Sequence, residues 1–453
     1  MALQVPDMAY ARPKVFRDPV HGLISIAPED EFLIELIDTP EFQRLRRVRQ
    51  LGVSSVTYPS AEHSRFSHSL GVMNFAQRIL DELMRRYAGE QKICDLIREK
   101  AKVVKAAALL HDTGHGPFSH ACERAFEAGK QHEDRSQSII TAPESAVPRI
   151  LREVAWIKPE EVRSLIGKGH PYPFLTDIVS SQLDADRMDY LLRDAMATGV
   201  HYGKFDAEWV LHSLCLGKDP RAGDTTGPES CRLCLETKRG VHAAEQLIGA
   251  RLHMSMQVYF HRNTRRWEAH LLCLFYEAAR LAAAGELPPG TLPAVVEYFA
   301  KRGGVSHAVF LQVDEPAILG CLGLWAVQTD PTFTRLAFLA RTMQHREKTM
   351  LCHEFPADIA QSMEARERLK SELQKGCGPE MGGWVADWIE FKSYKLSEPI
   401  YLSDGALEAT AGKAQESSFL FRAFGGKEQP TLARLYYLPD LKDQVELIIA
   451  KNR

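Results

Sequence analysis

Two hydrophobic periods alternate along the chain. Over residues 14–27 (KVFRDPVHGLISIA), two short apolar runs flank Asp18-Pro19 and His21-Gly22, the pattern of a β-hairpin. From there the helical period dominates. Residues 29–38 place Phe32, Leu33, Leu36 and Ile37 on one face. A second helix is expected from Glu41, with Pro40 at its start and Phe42, Leu45 and Val48 in register. Residues 68–88 predict an amphipathic helix striped by Leu70, Met73, Ile79, Leu80 and Leu83. Residues 95–111 predict a more apolar helix that runs into His111-Asp112 and stops before Gly114 and Gly116-Pro117. A further helix is expected over 174–197. Gly and Pro cluster at 217–229, read as a surface loop, and at 285–293. The second cluster is read as the boundary between a core (1–280) and a C-terminal lobe (281–453) for oligomerisation or regulation. Residues 371–413, rich in Gly, Ser, Lys and Glu, are expected to be mobile in part. Strand-like alternation is scarce, so the expected class is mainly α with small β pieces.

Composition narrows the class of function. A length of 453 residues exceeds one small core. Hydrophobic residues at 45% and charged residues at 25% are ordinary for a globular protein in water. A net charge of −3 gives no global basic field, so nucleic acid is not indicated as a partner, although an anion can still be met locally. No run of 18 apolar residues suggests a membrane span, and MALQVPDMAYARPKVF lacks an apolar stretch of signal-peptide length. Nine cysteines, scattered and odd in number, fit reduced thiols, so a cytoplasmic location is expected.

An apolar helix that ends in polar residues delivers them to one point in a dry core. His111 and Asp112 are presented this way, His68 begins another helix, and Asp186 sits within a third. Two imidazoles and two carboxylates form a mixed N/O donor set that suits a divalent ion and leaves positions open for water and a phosphate oxygen. An ion held so polarises a phosphoryl oxygen. An isolated His-Asp pair is more often a cap or a core group. HDTGHGPFSH differs because it packs three histidines and an aspartate between glycines and a proline directly after the apolar helix. Asp186, Tyr190 and Asp194, at i, i+4 and i+8, share one helix face; a solvated charge stripe is the competing reading.

These segments carry a resemblance. VFRDPVHG, TPEFQRLRRVRQLG, HSRFSHSLGV, HDTGHGPFSH, DADRMDYLLRD and ARLHMSMQVYFHR occur in order over roughly residues 14–265. Together they resemble the HD superfamily of phosphohydrolases, and within it the deoxynucleoside triphosphate triphosphohydrolases. No such motif is matched beyond about residue 280. The vertebrate members carry a sterile-alpha-motif domain; this chain, opening on the HD core, is expected to lack one. The resemblance implies a mainly α fold: a helical HD core with small β-hairpin elements and a mixed, mostly helical C-terminal lobe.

The resemblance also implies roles. His68, His111, Asp112 and Asp186 would bind a divalent metal ion (Mn, Fe, Zn or Mg). His115 and His132 would be the catalytic histidines, with Glu123 standing where vertebrate members have Asp. Hydroxide would attack the α-phosphorus of a nucleoside triphosphate, leaving a deoxynucleoside and inorganic triphosphate. Arg65, Arg187, Tyr190 and Arg251 would hold phosphates, Arg187 replacing a Lys with a bidentate donor. Gln50 and Asp194 would read the 3′-hydroxyl, Leu51 and Tyr259 would crowd the 2′ position, and His120 would lie near the ribose or base. Ser255 and Phe260 depart from the vertebrate His and Gln, which leaves base preference open.

Family members are often activated by a nucleotide bound between subunits. Lys14, Asp38, Gln43 and Arg46 match such a regulatory site, and RLRRVR sets Arg44, Arg46, Arg47 and Arg49 on one expected helix. A homo-oligomer (dimer or tetramer) and an activating nucleotide are therefore expected partners beside the substrate. Two alternatives stay open: a phosphohydrolase or phosphodiesterase for another nucleotide, and a non-catalytic nucleotide sensor. The chain has neither an HDxxED nor a GYP motif. Cys231-x-x-Cys234 is half a zinc pattern with only Cys215 and His242 near, and Trp156, Trp267 and Trp384 read as core. The regulatory reading predicts that Arg46→Ala removes activation of the purified protein by GTP or a dNTP; an unchanged response in a turnover assay removes that reading.

Overall fold

Asp18 closes the N-terminal hairpin. Its Oδ1 accepts the backbone N–H groups of Val20 (2.9 Å) and His21 (3.0 Å), and the strands Lys14–Asp18 and Gly22–Ile26 pair antiparallel across that turn. The structure, a computed structural model, describes residues 12–126, 132–347, 350–391, 394–424 and 431–452. The first eleven residues, which include most of the stretch read as lacking a signal peptide, lie outside the described residues. The fold is mainly α: 59% of it is helical, with small sheets.

Two long helices form the frame. Arg65–Arg86 buries Leu70, Met73, Ile79, Leu80 and Leu83, and packs on Gln91–Leu110, whose last two turns are wholly buried. Burial of each such side chain contributes roughly 1.5–3 kcal/mol. The Gln91–Leu110 helix ends where its backbone turns at His111 and the Thr113 hydroxyl donates to Leu110 O (2.8 Å). Ala185–Thr198 crosses the frame and begins at Asp184, whose side chain accepts Arg187 N–H (2.8 Å). The single helix expected over 174–197 is two: Pro173–Val179 and Ala185–Thr198. Asp184 causes the break, because its carboxylate also accepts Ser181 N–H (2.8 Å) and so caps rather than continues a helix.

The helix expected from Glu41 is likewise shorter. Pro40–Gln43 is α-helical, Arg44–Arg47 is a 3₁₀ turn, and Val48 is extended. The four arginines of RLRRVR therefore do not share one helix face. Arg44 is fully buried and donates to Val313 O (2.6 Å) and His115 O (2.7 Å), Arg47 pairs with Asp314, and Arg49 pairs with Glu62 (2.5 Å). Trp267 and Trp384 are core residues as expected, but Trp156 is 84% exposed. It lies in the short link between the helices Val147–Glu153 and Pro159–Ile166, outside the periodic apolar face of either, so its apolar neighbours in sequence do not carry it inward.

One apolar core runs from Ile24 through Phe75, Leu191 and Leu272 to Tyr298, Trp325 and Leu339, unbroken across 285–293. A second core gathers Phe355, Leu369, Trp384, Leu435 and Ile449 around the sheet Leu351–Glu354, Thr431–Tyr437, Trp384–Glu390. The stretch 371–413 holds regular structure, including the strand Trp384–Glu390 and Tyr401–Ser403, which pairs parallel with Cys231–Glu236. Cys231 and Cys234 sit three apart on a strand and so point to opposite faces; both are free. Among the described residues, no helix is long and apolar enough to cross a membrane.

The hairpin and the frame meet at Gly71. A Cβ there would lie 1.8 Å from Asp189 Oδ1 and 2.6 Å from Arg193 Nη2. Both groups are buried and ion-paired, so neither can retreat to water. Gly71→Ala is expected to lower the free energy of unfolding by about 3 kcal/mol, measured by urea denaturation.

Candidate active site

The donor cluster sits where three elements converge. His68 comes from the first turn of Arg65–Arg86, His111 and Asp112 from the end of Gln91–Leu110, and Asp186 from the first turn of Ala185–Thr198. His68 Nδ1 faces Asp189 Oδ2 at 2.8 Å and His111 Nδ1 faces Ala108 O at 2.8 Å, both acceptors. Each Nδ1–H is therefore anchored, and the Nε2 of each ring is turned inward, where its lone pair would bind a cation that displaces the Nε2 proton. His68 Nε2 lies 3.1 Å from Asp186 Oδ1, and His111 Nε2 lies 3.3 Å from Asp112 Oδ1 and 3.7 Å from Asp186 Oδ1.

These residues fit a divalent ion. Donors bonded at 2.0–2.2 Å to a shared ion stand roughly 3–3.5 Å apart, close to the spacing here. His111 Nε2 is buried without a hydrogen-bond partner, as expected of a group whose natural partner is a cation. Burial opposes a positive charge on His68, yet Asp186 and Asp189 raise its pKa to about 10, so the carboxylates outweigh the apolar surroundings. Asp186 is likewise driven well below the usual carboxylate range by His111 and His68 against its own burial. The set calls for positive charge at its centre.

His115 lies beside this cluster, its Nδ1 3.3 Å from Asp112 Oδ1, and stacks on His132 with ring centroids 3.6 Å apart. Gly114 permits the stack: its backbone approaches the helix His132–Thr141 so closely that a Cβ would meet His132 O at 2.2 Å. Glu123 bridges two rings, with Oε1 2.8 Å from His132 Nδ1 and Oε2 2.9 Å from His120 Nδ1. Burial, then Arg65 and His132, push the His115 pKa well down, leaving a neutral ring whose two nitrogens have no hydrogen-bond partner. His120 is the most exposed of the group, at 69% for its side chain.

A cavity of about 560 Å³ opens from the cluster. Every expected substrate contact lines it: Gln50, Leu51, Arg65, His120, Arg187, Tyr190, Asp194, Arg251 and Tyr259. Arg65 is already engaged, donating to Asp112 Oδ2 (2.5 Å) and Ser119 Oγ (2.9 Å). Arg187 donates to Asp184 Oδ2 (2.8 Å), and Arg251 lies over the Phe391 ring at 5.9 Å. Burial and then the neighbouring guanidinium of Arg187 lower the Arg251 pKa, with Tyr190 opposing, so cationic charge is crowded at this end. Asp194 accepts from Tyr259 Oη (2.8 Å), and its Oδ1 lies 2.7 Å from His63 Nε2. Tyr259 stands in a π-helical turn, Ser255–Tyr259, that shifts the helix register and turns the ring inward. The expected regulatory residues lie elsewhere. Asp38 and Arg46 are exposed, Arg46 Nε donates to Gln43 Oε1 (2.8 Å), and Lys14 is exposed on its strand.

Several contributors escaped sequence reasoning. Asp189, inside a quoted motif, holds His68, and His63 orients Asp194. Their spacing from the residues they hold gave a signal only in retrospect. Phe391, which lines the cavity with Phe260 (ring centroids 5.4 Å), arrives from the far end of the chain and had none.

Residues 65–194 match the HD domain model. YwfO of Bacillus subtilis (strain 168), an uncharacterised protein, is 38% identical over 331 residues, covering 73% of this chain and 70% of that protein. The chain belongs to the HD-domain family. It is also homologous to SAMHD1-type proteins: the deoxynucleoside triphosphate triphosphohydrolase SAMHD1 of Gallus gallus is 36% identical over 217 residues, 41% of this chain and 34% of that protein. The crystal structure of a phosphohydrolase from Bacteroides thetaiotaomicron superposes with a TM-score of 0.72 at 27% identity, over 94% of this chain and 100% of that one. HD domains bind divalent metal, and the His/Asp cluster of this HD protein has the donors for it. In Asp189→Asn an amide replaces the carboxylate behind His68. The affinity for Mn²⁺ is expected to fall at least roughly tenfold, read by titration against a chelator.

Proposed function

We propose that this HD-domain protein hydrolyses deoxynucleoside triphosphates to a deoxynucleoside and inorganic triphosphate. One observation carries the reading: a single cavity sets the metal-ligand cluster, a crowded pair of arginines and a carboxylate–phenol pair in sequence. Asp186, Tyr190 and Asp194 run along one helix face past all three zones, which suits a ligand that is anionic at one end and hydroxylated at the other. The relatives named for this activity support it.

In this reading Arg187, Arg251 and Tyr190 hold the outer phosphates, and Arg65 holds the inner one while keeping Asp112 in place. Asp194 accepts the 3′-hydroxyl, oriented by His63, and Gln50 adds a second polar contact. Tyr259 and Leu51 close the space a 2′-hydroxyl would need. The divalent ion at His68, His111, Asp112 and Asp186 supplies Lewis acidity at the α-phosphoryl group. Water adds to the α-phosphorus and releases one proton, the bond from phosphorus to the 5′ oxygen breaks, that oxygen takes a proton from His115, and the proton released by the water restores His115 by way of solvent and His132. A bound triphosphate supplies the negative charge that lets the neutral His115 ring carry that proton. His132 and Glu123 flank His115 as the route to solvent, ending at exposed His120.

We extend the proposal to regulation. The set of Lys14, Asp38, Gln43 and Arg46, none of which lines the cavity, would take an activating nucleotide between copies of this chain, in a dimer or tetramer. Arg44, Arg47 and Arg49 are already engaged and are not part of it.

Product analysis tests the reading. Metal-loaded protein is incubated with each dNTP and NTP, singly and in pairs, and the phosphate products are resolved. Inorganic triphosphate from a dNTP is the expected outcome, and His115→Ala should lower turnover at least about 100-fold while nucleotide binding persists. Orthophosphate or pyrophosphate would assign another nucleotide reaction, and no turnover a sensing role.

A further inference from the structure

The HDTGHGPFSH loop is bent in an unusual way. Phe118 and Ser119, neither of them glycine, both take positive φ (59° and 53°). Such backbone does not hold itself; surrounding groups must over-determine it. Ser119 Oγ donates to Arg49 O (2.9 Å) and receives Arg65 Nε (2.9 Å), the same arginine that bonds Asp112. Phe118 N–H donates 3.1 Å to Glu315 Oε1. That one oxygen also receives Arg49 N–H at 2.9 Å.

Glu315 is the first residue of the helix Glu315–Ala326 and is 2% exposed. The two residues before it repeat the pattern. Val313 O receives Arg44, whose Nη1 also donates 2.7 Å to His115 O, and Asp314 pairs with Arg47. Three consecutive residues of one helix start thus grip two separate chain segments, the arginine-rich 44–49 and the loop 115–119. The loop 115–119 lines the cavity, and segment 44–49 runs directly into Gln50 and Leu51, which line it too.

We propose that Glu315 is a positioning residue that ties segment 44–49 to the HDTGHGPFSH loop, so that a displacement of the first is transmitted to Ser119 and, through Arg65, to the inner-phosphate position. The assignment of that position rests on the proposed function. Of the proposed regulatory residues, Arg46 lies in this segment and Gln43 directly before it, so the backbone from 46 to 49 and the two N–H bonds to Glu315 join them to the loop 115–119. Burial pushes the Glu315 carboxyl up to about 7, with the Arg49 and Phe118 N–H groups opposing, so a glutamine resembles its neutral form.

Hydrogen exchange on the full chain tests this without any substrate. In Glu315→Ala, exchange is expected to accelerate about tenfold in peptides covering both 47–51 and 115–121, while the helix Arg65–Arg86 is unaffected. Glu315→Gln keeps an oxygen that accepts both N–H groups and should return both peptides to within about threefold of wild type. Acceleration confined to one of the two peptides, or a glutamine variant that behaves like alanine, overturns the proposal. If Glu315→Ala does not fold, Glu315→Asp, one methylene shorter, is judged by the same paired criterion. Where wild type yields triphosphate, Glu315→Ala should also lower kcat about tenfold at unchanged metal content, with recovery in Glu315→Gln. A wild type that yields no triphosphate removes the proposed function but leaves the exchange test standing.

Discussion

A single buried carboxylate organises the centre of this protein. Asp189 has no exposed surface, and its two oxygens serve three cations or ring N–H groups: Arg193 (2.7 Å to Oδ2), His21 (2.7 Å to Oδ1) and His68 (2.8 Å to Oδ2). Arg193 in turn donates to Asp18 at 2.8 Å. A buried carboxylate with one partner removed is costly, on the order of 3–5 kcal/mol, so the hairpin, the helix Ala185–Thr198 and His68 of the His/Asp cluster stand or fall together. Gly71 is glycine because this carboxylate occupies the space a side chain would take.

Charge is then graded along the cavity. At one end carboxylates outweigh burial and hold His68 at an elevated pKa; at the other, Arg187 is paired with buried Asp184, and burial and then Arg187 lower the Arg251 pKa against Tyr190. His115, stacked on His132 with ring centroids 3.6 Å apart, stands beside the carboxylate end. The apolar walls around these groups keep the local dielectric low, which strengthens both attractions.

The later part of the chain contributes to the site from outside the HD motif. Asp387, on the strand Trp384–Glu390, holds Arg265 and Arg124 (3.4 Å), and the neighbouring Phe391 reaches the cavity. The helix start at 313–315 also holds the HDTGHGPFSH loop, through Glu315 to Phe118 N–H and through Arg44, which joins Val313 O to His115 O. The three-stranded sheet and its own apolar core give these contacts a rigid base.

The frame of the fold was legible in the chain itself. The apolar periods read over 68–88 and 95–111 and the hairpin around Asp18 are local patterns, written within a few turns of backbone, whereas His68, His111, Asp112 and Asp186 lie on separate elements that only packing brings together. Where polar side chains compete with the backbone, the local pattern failed: Asp184 split one expected helix, and Arg44 turned another into a 3₁₀ turn by reaching for carbonyls at His115 and Val313. Only the tertiary structure decided which charges were free for a ligand and which were consumed inside the protein. Arg44 and Arg46 are two residues apart and look alike in sequence, yet one is buried and the other exposed. The partners that separate them lie 71 and 269 residues away for Arg44 and three residues away for Arg46. Sequence order carries no information about such distant partners until the chain is packed.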